Sequence, residues 1–374
     1  MSLLPTPTDK FIGIMSGTSM DGADAVVIDE SDFKRILAHV YLPYPEDLHS
    51  KLNQLVSTPK ITLWELGNLE VELAHFYADV VNELLTTTGI PRGRVRAIGC
   101  HGQTIFHAPS EPFPFTMQIG SGATLAQLTE CDVINDFRSQ DIAAGGQGAP
   151  LASLFHEFLF QEETPVMALN LGGIANLTYI PETESQKQVI GFDTGPANAL
   201  MNEWVMEIKG ERYDDKGAWA ASGRVNSKLL ERLKNDPYFQ KLPPKSTGRE
   251  YFNQSWLRAT LGESLEQLPA EDVQRTLAQL TVETVLDSAG SFQHSKLIVC
   301  GGGVHNQFLM EQFEQQAQCQ VLSCQAYNIE PESIEAAAFA YMAYCCLEGK
   351  RGNVPSVTGA SRPVITGAIH RYLN

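Results

Sequence analysis

Basic residues are scarce in this chain: 27 lysines and arginines stand against 44 aspartates and glutamates, a formal net charge of -17. A phosphate-backbone-binding surface is therefore not expected, and nucleic acid is excluded as the natural partner. The seven cysteines form no C-x-x-C pair and mostly sit in apolar runs, so buried free thiols are expected rather than a disulfide framework or a metal site. No apolar run approaches the length of a bilayer span, and residues 1–10 lack the basic-then-apolar pattern of an export signal, so a cytoplasmic protein with no membrane partner is expected. The common catalytic signatures are also missing. There is no G-x-x-x-x-G-K-[ST] loop, no G-x-G-x-x-G after a strand, no G-x-S-x-G elbow and no H-E-x-x-H.

What is present suits a globular α/β protein. With 374 residues, 43% of them hydrophobic and 19% charged, the chain exceeds the size served by one core, and two domains flanking a ligand cleft are the expectation. Phe11 to Met15 reads as a strand and Ala23 to Asp29 as its return, joined by an unusually polar, glycine-bearing tip; Ile36 to Leu42 reads as a third strand. Leu66, Leu69, Leu73, Phe76, Val80 and Leu84 recur at helical spacing, and Val95 to Cys100 is a further strand leading into His101-Gly102-Gln103-Thr104. Asp136 to Pro150 carries loop chemistry and reads as a hinge.

The second half repeats the order of the first. Val166 to Asn170 and Ile174 to Ile180 flank a Leu171-Gly172-Gly173 turn, and Val189 to Phe192 is the third strand. This points to an internal structural duplication. Val273, Leu277 and Leu280 mark a helix, Lys296 to Cys300 a strand, Gly301-Gly302-Gly303 a tight turn, and Glu332 to Leu347 an alanine-rich helix.

Glycines tolerate positive φ and close approach by an oxyanion, so the Gly17 to Asp24 tip is a phosphate-binding candidate, with hydroxyls at Ser16, Thr18 and Ser19. A plain hairpin would need only two turn residues. Gly172-Gly173 and Gly301 to Gly303 add two more glycine turns, so a nucleotide would be held by hairpins rather than by a P-loop. Asp193, at a strand end, is either a general base or a helix N-cap. Asp21 and Asp24 either reach a magnesium ion through water or stabilise their turn. His101 and Gln103 either contact substrate or are structural, and His305 and Asn306 read as helix-start residues.

The stretch Gly13-Ile14-Met15-Ser16-Gly17-Thr18-Ser19-Met20-Asp21-Gly22-Ala23-Asp24 closely resembles the opening signature of the anhydro-N-acetylmuramic acid kinases. Further matches run almost end to end. They include Gly99 to Thr104, Asp136-Phe137-Arg138, Gly145 to Leu151, Asn170 to Leu177, Asp193 to Pro196, Lys245 to Asn253, Cys300 to Gly303 and Ser356 to Ala360. The resemblance implies an α/β, two-lobed, actin-like ATPase (ribonuclease H-like) fold with an ATP and sugar cleft between the lobes. The lobes are expected at residues 1–140, joined by 360–374, and at 141–359.

It further implies ATP and Mg²⁺ as cofactors. Gly17, Thr18, Ser19, Met20, Asp21, Gly22, Ala23, Asp24, Gly172 and Gly173 would bind the phosphates, and Gly301, Gly302 and Gly303 would lie near the adenosine. Asp193 would be the catalytic base, and Glu335, Arg138, His101 and Gln103 would hold the sugar. The implied reaction opens the 1,6-anhydro bridge with water and phosphorylates O6, within cell-wall recycling. A homodimer is left open. The chain departs from the family at Ala197, where a second glycine is common: a positive φ there would strain alanine, whereas a helical position would favour it.

Overall fold

In the computed structural model the described residues are 9–17, 20–183, 187–249, 251–262 and 267–373. The strands in chain order are β1 (Lys10–Met15), β2 (Gly22–Asp29), β3 (Asp32–Pro43), β4 (Val95–Cys100), β5 (Gln103–Ala108), β6 (Phe115–Ile119), β7 (Val133–Asn135), β8 (Val166–Leu171), β9 (Ile174–Ile180), β10 (Ile190–Pro196), β11 (Lys296–Cys300), β12 (Gln320–Ser323) and β13 (Ala368–His370). The chain divides into two compact units, residues 1–155 with 328–374 and residues 156–327.

The first unit is built on a six-stranded sheet, ordered β13-β7-β4-β1-β2-β3. β1 runs antiparallel to β2 and parallel to β4. Phe11, Ile12 and Ile14 are fully buried, as befits a central strand covered on both faces. On one face lies the helix Leu63–Thr88, opened by a Thr62–Glu65 capping box, with Leu69, Leu73, Phe76, Val80 and Leu84 turned into the core as their spacing requires. On the other lies the helix Ser333–Leu347. Its close approach depends on Gly13 and Gly99, which pair across β1 and β4; a Cβ at either would run into the carbonyl oxygen of Ala336 or Phe339. Ala336, Ala340 and Ala343 keep the helix side of this contact small.

The second unit holds a five-stranded sheet, ordered β10-β9-β8-β11-β12, with β8, β9 and β10 antiparallel and β11 parallel to both β8 and β12. Strand for strand this is the order β3-β2-β1-β4-β7 of the first unit, with the same parallel and antiparallel pattern as far as β4 and β7. The repeated topology is that expected of a duplicated, actin-like chain. The helix Ala270–Ala289 buries Val273, Leu277 and Leu280 in this unit's core.

The divisions expected after residues 140 and 359 lie elsewhere in the structure, at 155/156 and 327/328. Two long-range packings account for this. The helix Ser333–Leu347 belongs to the first sheet, and the buried Asp141 accepts from Gly148 N–H (2.8 Å), Asn353 Nδ2 (2.6 Å) and Thr358 Oγ1 (2.6 Å). The stretch read as a hinge is thus pinned within the first unit. Six of the seven cysteines are buried and Cys319 is half-buried, all as free thiols. Among the described residues no helix is long and apolar enough to cross a membrane.

Candidate active site

The tip between β1 and β2 is shorter than its sequence suggests, because β2 begins at Gly22. Gly22, Ala23 and Asp24 are strand residues: a Cβ at Gly22 would meet the Leu42 carbonyl and the Tyr41 ring, and Ala23 is fully buried. Thr18 and Ser19 lie outside the described residues. Met20 takes a left-handed φ of 53°, and its N–H reaches Gly17 O at 3.3 Å. The Asp21 carbonyl accepts from Tyr44 N–H and Tyr41 Oη, both at 3.0 Å. Asp24 meets His39 Nε2 at 2.7 Å. Ser16, at the root of the tip, is buried, with Oγ 2.6 Å from both Tyr44 Oη and Gln103 Oε1.

β5 opens at Gln103. His101 and Gln103 are both buried and flank Gly102, whose φ of +75° folds the chain back. His101 Nδ1 faces Ser16 O at 3.3 Å, and its Nε2 accepts from Arg138 Nε (3.1 Å) and a terminal guanidinium nitrogen (2.9 Å). The ring is therefore the neutral Nδ1–H tautomer, and burial together with the nearby Arg138 charge holds its pKa well below the ordinary value. Arg138 also donates to Gly148 O at 2.6 Å. Burial lowers its pKa to about 10, opposed by the carboxylates of Glu335 and Asp141. Three of the residues read as sugar-binding, His101, Arg138 and Glu335, are thereby neighbours within the first unit, with His101 lying 4.8 Å from the Phe339 ring one helical turn beyond Glu335.

In the second unit Asp193 lies inside β10 rather than at a helix start. The helix Asn198–Lys209 is preceded by Ala197 as N-cap, so the capping alternative for Asp193 falls away. The β9–β10 pairing slips between Asp193 and Gly195, and Gly195 has a φ of +151°. Such a bulge re-aims the side chains beside it. The Asp193 carboxylate accepts from Asn176 Nδ2 on one oxygen and Thr247 N–H on the other, both at 2.9 Å. Its backbone is clamped too: N–H donates to Lys245 O (3.1 Å), and C=O accepts from Tyr238 Oη (2.8 Å). Lys245 Nζ sits 4.8 Å from the Tyr238 ring centroid, and burial lowers its pKa while the Asp193 charge opposes that shift.

The Gly172-Gly173 tip receives the start of the Asn198–Lys209 helix. Ala197 and Ala199 N–H donate to Gly173 O, Asn198 N–H donates to Gly172 O, and Asn198 Nδ2 donates to Leu171 O at 2.9 Å. Ala197 has a φ of -130°, neither left-handed nor helical. Gly301, with φ +79°, and Gly303 pack against Asn170 and Leu171, where any Cβ would collide, so the second and third glycine turns abut; Gly302 has open space before it. Asn306 caps the next helix by accepting from Leu309 N–H. Among the described residues no three His, Cys, Asp or Glu side chains cluster as a metal site.

Asn176 and Thr247 lie within the family-like stretches 170–177 and 245–253, but neither these nor Tyr238 shows from its local pattern that it orients Asp193. They come from a neighbouring strand and from segments 45 and 54 residues away.

The model of the family described as anhydro-N-acetylmuramic acid kinase matches residues 9–372. The chain is 43% identical over 373 residues to the anhydro-N-acetylmuramic acid kinase of Haemophilus influenzae, covering 96% of this chain and 97% of that one. It is 45% identical over 364 residues to that of Pseudomonas syringae pv. syringae, at 96% and 98% coverage. Among solved structures, the activator of the 2-hydroxyisocaproyl-CoA dehydratase from Clostridium difficile with bound ADPNP overlays 91% of this chain and 96% of that one, at TM-score 0.49 and 9% identity. From its first described strand to its last, this enzyme belongs to the anhydro-N-acetylmuramic acid kinase family.

Proposed function

We propose that the enzyme converts 1,6-anhydro-N-acetylmuramic acid, ATP and water into N-acetylmuramic acid 6-phosphate and ADP, as a cytoplasmic step of peptidoglycan recycling and amino-sugar catabolism. Family membership supports the substrate class, and the doubly held Asp193 carboxylate is the observation that carries the mechanism. The anhydro bridge ties C1 to O6, so the acceptor hydroxyl must be released before or as it is phosphorylated. Asp193 takes a proton from water, the water oxygen bonds to C1, and the C1–O6 bond breaks. O6 then bonds to the γ-phosphorus, and ADP departs with the electron pair of the cleaved P–O bond. Water approaches opposite the breaking bond, as in inverting glycoside hydrolysis, with phosphorus rather than an acid receiving the leaving oxygen.

Asn176 Nδ2 and Thr247 N–H fix the plane of the base, and the bulge at Gly195 sets its direction. Gly17 to Asp24 with Gly172 and Gly173 are assigned to the phosphates, Gly301 to Gly303 to the adenosine, and Arg138 and Glu335 to the sugar. Magnesium commonly keeps several waters and takes only one or two carboxylates plus phosphate oxygens. Asp21 would hold it through water, and the ion would supply positive charge to the phosphates. The test is ADP release with the anhydro sugar, with N-acetylmuramic acid and glucose as controls. Turnover confined to the anhydro sugar and lost in Asp193→Asn is expected; turnover on the free sugars alone, or an undiminished variant, would refute the reading.

A further inference from the structure

We propose that Gln103 is a positioning residue for the nucleotide loop, the last link of a buried relay Tyr77–Tyr44–Ser16–Gln103, and does not touch the sugar. The proposal rests on the reading of Gly17 to Asp24 as the phosphate loop. Gln103 is 1% exposed and its amide is committed on both ends. Oε1 accepts from Ser16 Oγ (2.6 Å) and lies 3.2 Å from Tyr44 Oη, while Nε2 donates to Gly17 O and Thr104 O, each at 3.3 Å. The two carbonyls facing Nε2 settle which end of the amide is nitrogen.

Counting protons gives the relay a direction. Oε1 has no hydrogen, so at 2.6 Å the Ser16 hydroxyl donates to it in preference to Gly22 O, which lies 3.0 Å from the same hydroxyl oxygen. The Ser16 oxygen then accepts from Tyr44 Oη, 2.6 Å away, and the Tyr44 oxygen accepts from Tyr77 Oη at 3.3 Å. Aligned hydrogen bonds in a low-dielectric interior reinforce one another. Burial pushes the Tyr44 phenol up to about 12 and that of Tyr77 well above its ordinary value, so the relay is neutral throughout the working pH range.

The relay grips the loop at both ends. Gln103 holds Gly17 O where the chain leaves β1, and the Tyr44 N–H holds Asp21 O just before β2 begins. The residues between these two points fall within the stretch assigned to the phosphates. No ligand contact is needed to explain why a glutamine stands at position 103.

The experiment compares wild type with Gln103→Leu and Tyr44→Phe, in steady-state kinetics varying ATP and anhydro sugar separately, and in calorimetric binding of ADP with Mg²⁺ and no sugar. Gln103→Leu should raise KM for ATP about tenfold, the cost of the lost loop hydrogen bonds, and weaken ADP binding by the same factor, with KM for the sugar within about twofold of wild type. Tyr44→Phe removes one oxygen and little volume, and should raise KM for ATP about threefold. A raised sugar KM with ADP affinity unchanged would overturn the proposal. If Gln103→Leu does not fold, Tyr44→Phe decides it, and an unchanged ADP affinity there would likewise overturn it. Absence of ADP binding by wild type would instead refute the assignment of the loop, and the proposal with it.

Discussion

The two units share one sheet order, yet they hold their glycine tips by different balances of side-chain and backbone bonds. The tip of the first is propped by side chains, with Ser16, Gln103 and Tyr44 meeting beneath it. That of the second is held by backbone: the N–H groups of Ala197, Asn198 and Ala199 converge on the carbonyls of Gly172 and Gly173. A two-glycine turn is short enough for a helix start to seat it. In the first tip, side chains from distant strands add to the backbone bond from Tyr44 N–H to Asp21 O. Duplication of a topology therefore does not duplicate the chemistry that stabilises its loops.

The largest expected break in this comparison is Asp193→Asn, which alters only the second unit's charge. It should lower kcat about 10³-fold while ADP still binds, read as single-turnover phosphorylation against calorimetric affinity. Next is Gly13→Ala in the first unit, which drives a Cβ into the Ala336 carbonyl and should cost about 3 kcal/mol in urea unfolding; Gly172→Ala, whose nearest outside atom is 3.6 Å away, should cost far less.

The buried histidines sharpen the contrast. His101 in the first unit has both ring nitrogens engaged, whereas His156 in the second bonds Thr178 Oγ1 through Nδ1 and leaves Nε2 without a partner. Burial lowers His156 from 6.5 to about 4, so the unfolded chain takes up a proton that the folded one refuses. The contribution is complete above pH 6.5 and declines as pH falls towards 4, by up to about 3 kcal/mol. The pH dependence of stability in His156→Asn should be flatter than wild type in that window. The smallest effect belongs to Asn198→Ala, which removes the Nδ2 bond to Leu171 O but keeps the backbone bonds to the tip, and should cost about 1 kcal/mol.

Local pattern made much of the architecture readable. The hairpins, the Leu69-to-Leu84 stripe, the strand Lys296–Cys300 and the alanine-rich helix all appear where periodicity puts them, because each signal repeats within a few residues. The extension of β10 through Pro196 was hidden, since glycine and proline normally end a strand and only the bulge lets them continue it. Asp193 was legible as a charged group near a strand end, but setting the cap reading aside needed the helix start to be located at Asn198.

The sequence by itself determined two repeated hairpin units, buried thiols, glycine turns in place of a P-loop, and one well-placed carboxylate, since these follow from residue type and short spacing. Only the tertiary structure decided where the units divide, why Gly13 and Gly99 cannot carry side chains, what orients Asp193, and that His101 and Gln103 turn inward to the loop. Those outcomes depend on contacts between segments tens to hundreds of residues apart, whose partners are selected by packing and by the need to satisfy every buried polar group.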